Sequence, residues 1–207
     1  MDKKYIPVML MPFKEDSSID YKALSELIEF YLDAGAGGLF ANCLSSEMYQ
    51  LTEEEMLASV AFIVQQVGKR VPIVATGTFP GSVEEQAAFV KKIYATGIDC
   101  VIVITSLMAA EKEDNNVFET RVNSLLAQTY DIPLGFYECP VPYKRIISAE
   151  FLGQLADSGR VTYHKDTCLD IAGIRNKLAA TGKAEHFGLY DAYMAHAVDS
   201  LRAGSAG

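Results

Sequence analysis

Val71-Pro72-Ile73-Val74-Ala75-Thr76, then Gly77-Thr78-Phe79-Pro80-Gly81-Ser82, then Val83-Glu84-Glu85, is the stretch from which the rest of the chain is read. The short apolar run reads as a buried strand and the Gly- and Pro-bearing stretch as a turn. Ser82 and Glu85 stand at the capping-box spacing that opens a helix. The same unit recurs along the chain. Strand-like runs begin near Ile6, Gly37, Val71, Asp99, Ile132, Val161 and Glu185. The shortest step, Val161 to Glu185, is 24 residues and the longest, Gly37 to Val71, is 34. Such steps suit βα units, and strands rich in Val, Ile and Ala alternating with helices imply a parallel sheet covered by helices.

The segments between the strands carry helix punctuation. Asp20 caps a run in which Leu24, Leu27, Ile28, Tyr31 and Leu32 share one face, and Gly35 closes it. Thr52 with Glu55 repeats the capping-box spacing of Ser82 with Glu85. Phe118, Val122, Leu125 and Leu126 mark another helix, Phe151, Leu152 and Leu155 the next, and Ile171, Ile174 and Leu178 a sixth. Asp191 through Arg202 reads as the seventh.

Two architectures fit this order, an open doubly wound sheet of flavodoxin type and a closed (β/α)8 TIM barrel. The turn from Pro12 to Ser18 has no GxGxxG phosphate fingerprint, and the candidate chemistry is spread over the ends of several strands, which favours the barrel. Only seven βα units fit, and the chain stops at Ala203-Gly204-Ser205-Ala206-Gly207, where an eighth strand would start. The expectation is therefore a single (β/α) barrel domain over residues 1–207, C-terminally incomplete, because a barrel short of one strand exposes two sheet edges.

Composition narrows the function. A chain of 207 residues, 50% hydrophobic, supports one sizeable core. A net charge of -9 disfavours nucleic acid and anionic membrane as partners. The apolar run after Lys3 and Lys4 is short and broken by Pro7 and Pro12, so no signal peptide or membrane span is expected and a cytoplasmic location is the default. The four cysteines form no CxxC pair and the three histidines no HExxH spacing, so no metal is expected.

Chemistry concentrates at two strand ends. Val161-Thr162-Tyr163-His164-Lys165 ends on a lysine, and Ile132-Pro133-Leu134-Gly135-Phe136-Tyr137, one strand earlier, ends on a tyrosine. A desolvated amine loses its proton more readily and attacks a carbonyl carbon to form a Schiff base, while a phenol shuttles the protons. Residues two apart share a strand face, so Lys165 lies with Tyr163 and Val161, Tyr137 with Gly135, and His164 on the opposite face against a helix. The small Gly135 leaves room beneath the tyrosine and the amine. Glu138 and Asp166 read either as charges that tune the site or as surface carboxylates of an acidic chain. Asn42-Cys43-Leu44-Ser45-Ser46-Glu47 reads either as a polar cluster able to hold a carboxylate or as an ordinary helix-entry turn.

With these residues in place, the chain resembles the dihydrodipicolinate synthase and N-acetylneuraminate lyase family of class I aldolases over essentially its whole length. The resemblance rests on Pro7 to Phe13 as the opening PxxTPF strand, Cys43-Leu44-Ser45-Ser46-Glu47 at the GxTGE position, and Leu51-Thr52-Glu53-Glu54-Glu55 like LTxEE. Tyr137-Glu138-Cys139-Pro140 is similar to YNxP and Lys165-Asp166 to the Schiff-base KD. The resemblance implies an eight-stranded barrel with a C-terminal helical extension. It also implies catalytic Lys165 as imine former, Tyr137 as proton carrier, and Ser45, with Ser46 beside it, toward the substrate carboxylate. The implied substrate is pyruvate or a related 2-keto acid, with no cofactor, in a homo-oligomer, tetramer or dimer.

The departures from the pattern matter too. Leu44 and Ser46 replace a hydroxyl and a glycine of GTTGE, Pro142 stands where the synthase branch has an arginine, and Ser106-Leu107-Met108-Ala109 lacks that branch's tyrosine. The expected activity is thus a Schiff-base lyase or aldolase that makes or breaks a C–C bond, and not dihydrodipicolinate synthesis. Alternatives are a sugar-acid dehydratase or decarboxylase using the same imine, and a non-catalytic barrel scaffold.

Overall fold

A computed structural model describes residues 3–207. Six strands, β1 (Leu39–Ala41), β2 (Ile73–Thr76), β3 (Cys100–Ile104), β4 (Leu134–Tyr137), β5 (Val161–Asp166) and β6 (Gly188–Asp191), lie side by side in chain order, each pair parallel. The helices are α1 (Tyr21–Asp33), α2 (Glu53–Val67), α3 (Val83–Tyr94), α4 (Asn115–Gln128), α5 (Ala149–Asp157), α6 (Ile171–Thr181) and α7 (Ala197–Ala203). The architecture is an α/β sheet, curled and covered by helices.

Local chemistry accounts for the element boundaries. Asp20 accepts hydrogen bonds from the Lys22 and Ala23 backbone N–H groups at the start of α1, and complete capping boxes, Thr52 with Glu55 and Ser82 with Glu85, open α2 and α3. All five residues of β3 are buried, because both faces of the sheet are covered. Their alternation assigns them to two layers. Val101 and Val103 belong to the large core between sheet and helices, while Cys100, Ile102 and Ile104 face a second, smaller cluster on the concave side. At Gly135 an added Cβ would lie 2.7 Å from Ile102 Cδ1 and 2.8 Å from Tyr163 Cβ, so the concave cluster closes only over a glycine there.

The seven strand starts expected from the sequence yield six strands. The run at Ile6 is extended and lies beside β1, but it forms a single bridge, Val8 with Phe40. Its hydrogen bonds run from the N–H of Met9 to the Phe40 carbonyl, from Phe40 to Pro7 and from Gly37 to Tyr5. Pro7 has no N–H to give, which thins the ladder. The seventh helix also starts later than expected. Asp191 completes β6 and accepts from the Tyr193 N–H, and α7 begins only at Ala197.

Backbone hydrogen bonds continue past both edges of the sheet. Ala206 N–H donates to Leu189 and Asp191 N–H to Gly207, while Lys4 N–H donates to Ala206. Residues 205–207 thus lie between β6 and the N-terminal segment. Gly207 is wedged against the Lys4 carbonyl and the Tyr190 ring, where any side chain would collide.

Candidate active site

The C-terminal ends of β4 and β5 bring Tyr137 and Lys165 into register as direct neighbours. Lys165 Nζ lies 4.2 Å from the centre of the Tyr137 ring and 5.3 Å from that of Phe40, so the amine sits against aromatic faces. Phe40 packs edge-on against both Tyr137 and Tyr163, and Tyr163 stacks on Tyr190 with ring centres 4.5 Å apart. Beside this group opens a cavity of about 730 Å³, reached by Lys165, Tyr163 and Tyr190 and bounded on its far side by Tyr5, Val8 and Leu10.

Electrostatics follow from that setting. Burial among apolar and aromatic groups pushes the Lys165 amine below its ordinary lysine value, opposed only by the thiols of Cys43 and Cys139. No carboxylate contributes. Burial, reinforced by Cys139, pushes the Tyr137 phenol well above its ordinary value, so it holds its proton. An amine that gives up its proton more readily, beside a phenol that keeps its own, suits carbonyl addition.

The turn after β1 separates its two serines. Ser45 is exposed on the 3-10 turn Leu44–Ser46. Ser46 is buried, and its hydroxyl donates to the Met9 carbonyl at 2.7 Å and accepts from the Cys43 N–H at 3.2 Å, which ties the turn to the N-terminal segment. Arg145, three residues beyond Pro142, is engaged elsewhere, donating to Tyr143, Asn115, and the Ala110 and Glu113 carbonyls.

On the other face of the same strand ends lies a group that the sequence did not disclose. Glu138 and Asp166, open to a reading as surface carboxylates, are fully buried. Lys177 of α6 is buried as well, with Nζ 2.5 Å from Glu138 Oε1 and 2.6 Å from Asp166 Oδ2. His164 faces the helix side, as alternation along β5 requires, and its Nε2 stands 3.4 Å from Glu138 and 3.7 Å from Asp166. One ligand atom from each of Glu138, His164 and Asp166 lies within a 4.8 Å cluster, a spacing a metal could use, yet the Lys177 ammonium already sits against both carboxylates. The available signal was the position of Lys177 on its helix. It falls three residues after Ile174 and four before Thr181, both buried, and so lies on the stripe of α6 that faces the sheet.

Comparison with known proteins identifies the family and the fold. The dihydrodipicolinate synthetase family model matches residues 1–207. A 4-hydroxy-tetrahydrodipicolinate synthase from Bacillus velezensis is 26% identical over 173 residues, 84% of this chain and 58% of that protein. Two crystal structures share the fold. Dihydrodipicolinate synthase from Bacillus anthracis superposes with a TM-score of 0.85 at 23% identity, over all of this chain and 69% of that one. The E. coli K12 protein YagE, of the dihydrodipicolinic acid synthase family and solved in complex with pyruvate, superposes at 0.85 with 24% identity, over 98% of this chain and 67% of that one. The chain spans 58% of the Bacillus velezensis relative's length. That relative's name lends no support to the expectation that dihydrodipicolinate synthesis is excluded. Among the described residues, no helix is long and apolar enough to cross a membrane.

Proposed function

The chain belongs to the dihydrodipicolinate synthetase family, and from that premise we propose that it is a class I, Schiff-base-forming lyase or aldolase acting on pyruvate or a related 2-keto acid. The observation that carries the reading is the half-buried Lys165 amine, depressed in pKa and held 4.2 Å over the Tyr137 ring. The neutral amine adds to the keto carbon. A proton passes from the nitrogen to the new oxygen, and Tyr137 protonates that hydroxyl so that it leaves as water. The resulting phenolate recovers its proton from the carbon adjacent to the iminium, giving the enamine that forms the new C–C bond. In the cleavage direction the phenolate takes the proton of the substrate hydroxyl while the electrons of the breaking C–C bond flow into the iminium. No metal is needed, because the iminium is itself the electron sink. Ser45, at the rim after β1, is the hydroxyl we assign to the substrate carboxylate, with the Ser46-anchored turn holding it in place.

The fold we assign to the protein is a (β/α)8 barrel, with the N-terminal segment along the β1 edge, working as a homo-oligomer. The reaction in the relatives' name, 4-hydroxy-tetrahydrodipicolinate synthesis, is the first to assay. Borohydride reduction with pyruvate, followed by peptide mass analysis, tests the chemistry. A stable adduct on Lys165 is expected, and no adduct with any 2-keto acid overturns the reading.

A further inference from the structure

Lys177 is a buried amine at this end of the sheet that the proposed chemistry does not use. Glu138 directly follows Tyr137, and Asp166 directly follows Lys165. Since side chains alternate across a strand, Tyr137 and Lys165 face the concave side while Glu138 and Asp166 face the helices. The ammonium of Lys177 bonds to both carboxylates at once. It therefore spans the β4 and β5 ends from behind, at the residues immediately beyond the amine and the phenol.

The main chain leaves this work to the side chains. The outermost β4–β5 backbone bond, Glu138 N–H to the Lys165 carbonyl, is 3.3 Å long. Past it the strands are joined by the Thr167 N–H, which donates to the Glu138 carboxylate at 3.1 Å, and by the Thr167 hydroxyl, which donates to the Glu138 carbonyl. The Ile147 N–H, from the segment before α5, also donates to Glu138 at 3.1 Å. Each contact converges on Glu138, and Lys177 connects that hub to Asp166. We infer that Lys177 is a positioning residue, whose ammonium fixes the lateral spacing of the two strand ends and through it the placement of Tyr137 against Lys165. The inference rests on the Schiff-base reading of Lys165. It extends that reading to a residue on α6 that touches no substrate.

The test is rapid-quench borohydride trapping with pyruvate, comparing the parent protein with Lys177→Met, Lys177→Arg and the double variant Glu138→Gln/Lys177→Met, which removes one charge of each sign. At saturating pyruvate, Lys177→Met should trap about 10²-fold more slowly, the scale on which small misplacements of reacting groups are felt. The pyruvate concentration for half-maximal rate should stay at the parent's value, the final amount of adduct per folded molecule should be unchanged, and Lys177→Arg should recover part of the rate. A purely structural role predicts the reverse, less adduct in proportion to unfolded protein and an unaltered rate constant. A folded Lys177→Met that traps at the parent rate overturns the inference. If that variant does not fold, the double variant decides by the same criterion. If neither folds, Asp166→Asn, which takes away one of the two anchors of the ammonium, overturns the inference when it traps at the parent rate. Absence of adduct in the parent overturns the Schiff-base reading and this inference together, whereas adduct in the parent with unaffected variants removes the inference alone.

Discussion

Two lysines, half-buried Lys165 on β5 and buried Lys177 on α6, stand on opposite faces of the β4 and β5 ends, and their amines are driven in opposite directions. Burial lowers the proton affinity of both. At Lys165 nothing but thiols opposes it, and the amine is pushed below its ordinary value. At Lys177 the carboxylates of Glu138 and Asp166 outweigh burial, and the amine is held above its ordinary value. Depth alone therefore does not make a nucleophile. What separates the two sides is the company each amine keeps, aromatic rings on the concave face and anions on the helix face.

The sharpest way to break this contrast is to remove the Lys165 amine. Lys165→Ala should abolish pyruvate-dependent borohydride adducts while leaving Lys177 unlabelled, as peptide mass analysis would show; an adduct on Lys177 would mean that both amines are nucleophilic. Tyr137→Phe should leave the fold intact and slow adduct formation by about 10² to 10⁴-fold, the usual contribution of a placed proton carrier. Quenched-flow trapping measures it, and an unchanged rate removes Tyr137 from the proton path.

On the helix side the expected cost is one of stability. Lys177→Met strands two buried carboxylates and should destabilise the fold by about 3–5 kcal/mol in urea unfolding. A shift below about 1 kcal/mol, the level of an exposed pair, would show that water reaches the cluster. The smallest effect is expected from pH. Burial lowers the pKa of His164, but Asp166 and Glu138 more than offset it, leaving it above the ordinary value of 6.5. Its stabilisation is thus complete below pH 6.5 and is lost as pH rises through the folded-state value. The urea midpoint of the parent should fall on going up through that range, and that of His164→Gln should not; parallel profiles would assign the titration to another group.

Much of this was legible in the sequence, for identifiable reasons. Strands at Ile73, Cys100, Leu134 and Val161 declare themselves because apolar runs sit between turn residues, and the caps at Asp20, Thr52 and Ser82 are local signals with local partners. The meeting of Tyr137 and Lys165 follows from two consecutive strands in register. What stayed hidden depends on distant pairings. Glu138 and Lys177 are 39 positions apart, and nothing near either marks them as buried partners. A lysine on the sheet-facing stripe of α6 looks like an interruption until two carboxylates are seen behind it. The engagement of the Ser46 hydroxyl by Met9 is likewise a contact across 37 positions. The run at Ile6 forms only a single bridge because Pro7 withholds an N–H that the periodicity of apolar residues does not register.

The seam between β6 and the N-terminal segment differs in kind from the rest of the sheet. Its bonds at Lys4, Ala206 and Asp191 form a narrow bridge, whereas β3 and β4 share four paired residues under full burial. Deuterium should therefore enter the amides of Lys4, Ala206 and Asp191 well before those of Val103 and Phe136. Because the cavity beside Lys165 lies along that line, breathing of the seam would widen the approach to the amine and leave the spacing of β4 and β5 untouched.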